Sequence, residues 1–146
     1  MKYNEQKGNL FELDEKYSLV QCISLDCKMG KGIAVEFDKR FKGMKTTLQY
    51  AIKEYEMRIP ICIPYTSKGR YVFNLVTKKV FYSKPTYRTI TDCIKEMKCQ
   101  CEKYDIKYLA MPKIGCGLDR LQWGKVREII QEEFKDLNIE IEVRYL

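Results

Sequence analysis

An α/β layered fold is what this sequence predicts, and three observations predict it. Short runs rich in β-branched and aromatic residues alternate with segments whose apolar residues recur at helical spacing. Two of the strand runs end in glycine-bearing turns that lead towards helices. No Gly/Ser-rich linker, low-complexity tract or internal repeat divides the 146 residues, so 1–146 reads as a single domain, long enough to bury a core without disulfide staples.

"YSLVQCIS" (17–24) reads as a buried strand. In "GIAVEFDKRF", Ile33, Ala34, Phe37 and Phe41 fall at helical spacing, and "MKTTLQYAIKEYE" (44–56) reads as a second helix. "ICIPY" (61–65) and "RYVFNLVT" (70–77) read as strands on either side of a "TSKG" turn. From 85 to about 103, Tyr87, Ile90, Ile94, Met97 and Cys101 form one apolar stripe with Cys93 beside it, and Pro85 suits a first helical turn. "YLAM" (108–111) is a short buried strand. Trp123, Val126, Ile129, Ile130 and Phe134 make one face of a further helix. "IEIEVRYL" alternates strictly, with Ile139, Ile141, Val143 and Tyr145 on one face, as a half-buried strand near a sheet edge does. These aromatic and methionine stripes read as core.

Composition removes several chemistries. There is no histidine, which excludes Ser-His-Asp and Cys-His catalysis, histidine-ligated metals and imidazole proton shuttles. Seven cysteines with no secretory signal read as reduced thiols, and Cys99 and Cys101 lack metal-binding CxxC spacing. No metal site and no cofactor are expected. The N-terminus "MKYNEQKGNLFELDEKY" is polar, and no run approaches the roughly 18 apolar residues of a membrane span. The expectation is a cytoplasmic monomer, or a nuclear one if eukaryotic, with no membrane partner. The formal charge is +7, from 27 Lys and Arg against 20 Asp and Glu. That balance suits phosphate-bearing partners, although lysines spread along the chain equally make a solvated surface.

The two glycine-bearing turns are "SLDCKMGKGIA" (24–34) and "MPKIGCGLDRLQW" (111–123). In open α/β sheets ligands bind beyond the carboxyl ends of strands, where such loops gather and their N–H groups can cup a phosphate. Two loops suit a ligand with two phosphates, or a phosphate and a sugar. A glycine pair after a strand is also an ordinary turn, and "GCGLDR" is neither a GxGxxG fingerprint nor a Walker A loop. Lys78 closes an apolar strand, and Asp119 follows the second glycine turn. If those elements were sheet neighbours, ammonium and carboxylate would share a cleft, and a desolvated lysine there could act as a nucleophile. Spacing alone equally allows a solvated lysine and a helix-capping aspartate.

Together, "GNLF", "CISLDCKMGKGIAVEF", "VTKK" followed by "KPTY", and "MPKIGCGLDRLQW" resemble a macrodomain. The likeness runs in order over nearly the whole chain. It is narrowest to the branch containing the terminal ADP-ribose protein glycohydrolase and the bacterial antitoxin macrodomains that reverse DNA ADP-ribosylation. The resemblance implies a three-layer α/β/α sandwich with a mixed central sheet, binding ADP-ribose at the strand ends. It implies a hydrolase that removes mono-ADP-ribose from ester-linked acidic residues of proteins. ADP-ribosylated DNA bases and O-acyl-ADP-ribose are further substrates it allows. By the same resemblance, Lys78 is the nucleophile that attacks C1″ of the distal ribose to form a lysyl-ADP-ribose adduct, and Asp119 is the acid-base group. The diphosphate loop is then Lys113, Ile114, Gly115, Cys116, Gly117 and Leu118, with Cys116 contributing its backbone N–H. Met29, Gly30, Gly32 and Ile33 border the distal ribose and phosphates, Ser24 and Thr77 lie near the ligand, and Leu10 and Leu146 flank the adenine. One position departs from the family: Asn9 stands where an aspartate commonly accepts the adenine amino group, so the bond loses its charge assistance.

Two other functions fit parts of this pattern. One is an ADP-ribose reader without turnover, which needs neither Lys78 nor Asp119. The other is a basic nucleic-acid-binding domain, which the charge and eleven tyrosines permit.

Overall fold

A computed structural model describes all of Met1–Leu146. Six strands form one sheet: β1 (Lys2–Lys7), β2 (Ser18–Ser24), β3 (Ile61–Ser67), β4 (Arg70–Lys78), β5 (Tyr108–Met111) and β6 (Glu140–Tyr145). Their order is β1-β6-β5-β2-β4-β3, parallel throughout except for the β3–β4 pair. Four helices cover it: α1 (Ile33–Arg40), α2 (Met44–Glu54), α3 (Tyr87–Lys103) and α4 (Trp123–Phe134). The α/β prediction and its mixed sheet hold.

Strand alternation sorts the core into two layers. Val20, Phe73, Leu75, Leu109, Met111, Ile141 and Val143 face Ile90, Ile94 and Met97 of α3 and Val126, Ile130 and Phe134 of α4. Leu19, Ile23, Val72, Val76 and Ala110 face Phe37 of α1 and Met44 and Leu48 of α2. Phe37, Phe73 and Phe134 are fully buried, each contributing about 1.5–3 kcal/mol of burial free energy. No helix is long and apolar enough to cross a membrane.

Three local features differ from the sequence expectation. The "TSKG" turn tightens to Lys68 and Gly69, both at positive φ, as a two-residue hairpin requires, so β3 runs on to Ser67 while β4 starts at Arg70 as expected. Pro85 lies outside α3, because Thr86 is the N-cap: its hydroxyl accepts from Thr89 N while Thr89 Oγ1 accepts from Thr86 N. The strand near the edge, β6, has β1 beyond it, a polar strand that no hydrophobic alternation announced. Side chains seat β1 as well as its ladder: Asn4 and Gln6 donate to Glu142, and Glu5 accepts from Trp123 and Arg127.

Candidate active site

β2, β4 and β5 run parallel, so their carboxyl ends lie at one end of the sheet. The chain leaves β2 on one side to reach β4 and returns across it to reach β5, a topological switch point centred on β2. A cleft of about 730 Å³ opens there. β4 carries one extra residue at its end, since Ile23 pairs with Val76 but Ser24 pairs with Lys78. Such a bulge re-aims the strand-end side chain. The extra residue, Thr77, is buried with its hydroxyl unpartnered, and Lys78 lines the cleft.

Asp119 reaches the same cleft from the loop between β5 and α4. Lys78 Nζ donates to Asp119 Oδ1 at 2.5 Å, with both side chains nearly buried. Their strands are not the neighbours that the sequence argument required, because β2 lies between them. The loops bridge its end instead.

Both glycine loops line the cleft. From the first come Met29, Gly30, Gly32 and Ile33, with Ser24 at the end of β2. From the second come Lys113, Ile114, Gly115, Gly117 and Leu118. The glycines answer different demands. Gly115 sits at φ +74°, and a Cβ there would stand 2.8 Å from Ile90 Cδ1 and 3.1 Å from Leu121 Cδ1. At that φ a side chain is strained, and it would have to displace the ends of two packed side chains. A Cβ on Gly117 would meet nothing within 4 Å, so that space is left to the cleft.

No intrachain hydrogen bond engages the N–H groups of Gly115, Gly117, Leu118 or Asp119. Those of Ile33 and Ala34, at the N-terminus of α1, are equally free. Two sets of unpaired donors therefore belong to residues that line one cavity, as suits an anion site. Five lysines line it (Lys28, Lys31, Lys78, Lys84 and Lys113) against a single aspartate.

Five of the residues assigned by resemblance stand outside the lining. Cys116 has its N–H committed to Lys113 O and its thiol to Ile114 O, so it stabilises the turn rather than donating into the cleft. Burial pushes that thiol up to about 11 and the cleft-lining Cys22 thiol well above its ordinary value, so neither is a thiolate at neutral pH. Thr77 is sealed in the bulge. Leu10 is buried in the core beside α1, and Leu146 is almost fully exposed. Asn9 caps a 3₁₀ turn (Leu10–Glu12), its amide oxygen accepting from Phe11 N at 2.9 Å. Cys22, Lys28, Lys31, Phe81, Lys84 and Pro112 line the cleft without having been singled out. The two lysines inside "CKMGKG" were readable as cations beside a glycine loop. Phe81 and Lys84 carried no such signal. No three cysteine, aspartate or glutamate side chains converge to hold a metal ion.

Known proteins resemble this chain in sequence and in fold. The chain is 44% identical over 137 residues to the ADP-ribose glycohydrolase OARD1 of Bos taurus, covering 94% of this chain and 87% of the relative. It is 27% identical over 135 residues to a DNA ADP-ribosyl glycohydrolase of Thermus aquaticus, covering 90% of this chain and 37% of that one. The solved macrodomain of Thermus aquaticus DarG superposes with a TM-score of 0.88 at 26% identity, over 99% of this chain and 98% of that one. The Macro domain family model matches residues 25–130, a span that runs from the first glycine loop through the second and into α4. With a switch-point cleft, two glycine loops and relatives matched over almost its whole length, the chain belongs to the Macro domain family.

Proposed function

We propose that this protein is an ADP-ribosyl hydrolase that releases mono-ADP-ribose from ester-linked acidic residues of proteins, with Lys78 as nucleophile and Asp119 as its acid-base partner. The observation that carries the reading is the Lys78–Asp119 pair, held at 2.5 Å in a cleft whose loops present unpaired N–H groups. A diphosphate suits those donors, and the reading puts C1″ of the distal ribose next to the pair. The likeness to a relative named ADP-ribose glycohydrolase supports the reaction class.

The step needs a neutral amine. Asp119 takes the proton from Lys78 Nζ, and the freed lone pair attacks C1″. The C1″–O bond breaks and the acyl carboxylate leaves with its electron pair. Asp119 gives its proton to solvent and regains its carboxylate. Water, deprotonated by that carboxylate, then attacks C1″. The C1″–N bond breaks with its electron pair going to Nζ, and the amine takes the proton back from Asp119, giving free ADP-ribose and the resting ion pair. A carboxylate is a good leaving group, so the ester needs little further acid assistance.

The exposed lysines of the first glycine loop favour a second acceptor class, ADP-ribose carried on a nucleobase, since Lys28 and Lys31 would meet the flanking phosphates. Seven free cysteines suit a reducing compartment. A hydrolysis panel of glutamate-linked peptide, ADP-ribosylated thymidine and guanosine oligonucleotides, and O-acetyl-ADP-ribose tests the reading. Release from the glutamate ester by wild type and its loss in Lys78→Ala is the expected result. ADP-ribose binding without release from any substrate makes the protein a reader instead.

A further inference from the structure

Residues 79–84, between β4 and α3, are fastened at Phe81 and at Lys84 to the machinery around them. Phe81 N donates to Asp26 Oδ2 at 3.0 Å. The other oxygen of that carboxylate accepts a short bond from the Ser24 hydroxyl and a longer one, 3.4 Å, from Lys28 N. Burial alone would raise the Asp26 carboxyl, but these donors hold it below its ordinary value, so it stays an anionic acceptor. Ser24 is itself buried and paired with Lys78 in the ladder, and Leu25 N donates to Lys78 O at 2.8 Å. At the far end of the segment, Lys84 Nζ donates to Leu118 O at 2.7 Å. Between the two, Ser83 N closes a turn onto Val80 O.

The segment therefore begins one residue after Lys78 and ends on the carbonyl one residue before Asp119. We propose that residues 79–84 are a strap, anchored by Asp26 and Lys84, that fixes the separation of Lys78 and Asp119, and that Asp26 and Lys84 are positioning residues for the reaction. This rests on Lys78 and Asp119 being the reacting pair. Proton transfer and attack at C1″ demand placement within about 0.5 Å, and a 1 Å error costs roughly 10²-fold in rate. The ladder holds the backbone of Lys78 and turn bonds hold the loop of Asp119, but the strap links one to the other.

The first glycine loop, which contains Asp26, has anchors of its own besides that carboxylate. Cys27 and Met29 are buried, and Lys45 Nζ donates to Lys28 O at 2.9 Å. Cutting the strap should accordingly slow the chemistry while leaving ADP-ribose binding in place.

The experiment compares Asp26→Ala, Asp26→Asn, Lys84→Met, Lys84→Arg and the Asp26→Ala/Lys84→Met double variant. It follows kcat on glutamate-linked mono-ADP-ribosylated peptide, the calorimetric Kd for ADP-ribose, and the thermal melt. Lys84 is exposed, so its variants keep the fold whatever happens at Asp26. Asp26→Ala and Lys84→Met should each lower kcat about tenfold or more, with Kd for ADP-ribose within about threefold of wild type. The double variant should fall little below the worse single one, since either cut releases the same strap. Asparagine, whose one carbonyl oxygen can still accept from Phe81 N, and arginine, which keeps the donor to Leu118 O, should restore kcat to within about threefold of wild type. Wild-type kcat in both disruptive variants overturns the strap, as do multiplicative losses in the double, or a weakened Kd that accounts for the whole effect. Lys78→Ala is run alongside. If it retains activity, the reacting pair is wrong; if it is dead while the strap variants are unimpaired, the strap alone is wrong.

Discussion

Lys78 and Asp119, 41 positions apart, meet at 2.5 Å over the end of a strand to which neither belongs. β4 and β5 flank β2, and the bulge at Thr77 and the loop after β5 lean towards each other across it. An ammonium and a carboxylate so placed can exchange one proton without a further group between them. A binding protein needs anion donors and a shaped cleft, but not this pair.

Removing either partner should separate chemistry from binding. Lys78→Ala and Asp119→Ala are expected to lose about 10²-fold or more in release of ADP-ribose from a glutamate ester, while calorimetry shows ADP-ribose still bound. The covalent route makes a sharper demand on Asp119→Ala. Without a base to activate water, the lysyl adduct should accumulate and appear as added mass on the intact protein. Full activity in both variants would sink the mechanism.

The glycines of the second loop should fail in different ways. Gly115→Ala must adopt positive φ and push its Cβ against Ile90 and Leu121, so a loss of roughly 2–4 kcal/mol in urea unfolding is expected. Gly117→Ala has open space and should unfold within about 0.5 kcal/mol of wild type. Gly117 lines the cleft, so the cost should fall on ADP-ribose affinity instead. Equal stabilities for the two variants would contradict this division.

The strands and helices that bury an apolar face were legible, because periodicity records burial. β1 was not, since an edge strand shows water one side of its ladder and "KYNEQK" carries no alternation. Its anchor residues, Asn4, Glu5 and Gln6, find partners on β6 and α4 that only the fold brings near. Spacing identified the ends of two strands as chemically interesting but could not join Lys78 to Asp119; the family motifs did that. Asp26 lies inside a recognised motif, and still its bond to Phe81, 55 positions away, is invisible in one dimension. Asn9 and Cys116 show the opposite limit: a motif names the position, while the hydrogen bonds of this chain decide what each side chain is free to do.

The thiols should rank by exposure, not by nearness to the cleft. Cys99 is exposed, whereas Cys116 is half-buried with its thiol pushed up to about 11. A thiol is neutral below its pKa, so at pH 7.5 iodoacetamide should modify Cys99 first and Cys116 only slowly, as peptide mass mapping can follow. Cys116→Ser should keep hydrolysis within about threefold of wild type, since the turn bond from its backbone N–H is retained. Rapid, selective alkylation of Cys116 accompanied by loss of activity would reopen a role for the thiol.

Glu142 should govern part of the acid limb of stability. Its side chain is nearly buried between β1 and β6 and accepts from Gln6, Arg144 and Asn4. Burial alone would raise this carboxyl, but those donors hold it below its ordinary value of 4.5. The native state thus binds fewer protons than the unfolded chain in the window just below that value. The associated stability is complete above it and is lost as pH falls through it towards the native pKa. Glu142→Gln removes the charge and its titration together. At pH 7 the variant should be about 1–2 kcal/mol less stable, because a charge-assisted acceptor has become a neutral amide facing the same donors. Below about pH 5 its stability should decline less steeply than that of wild type, since one depressed carboxyl no longer takes up a proton on unfolding. Urea midpoints measured from pH 7 to pH 3 read both effects, and curves that stay parallel would show that Glu142 titrates alike in the folded and unfolded chain.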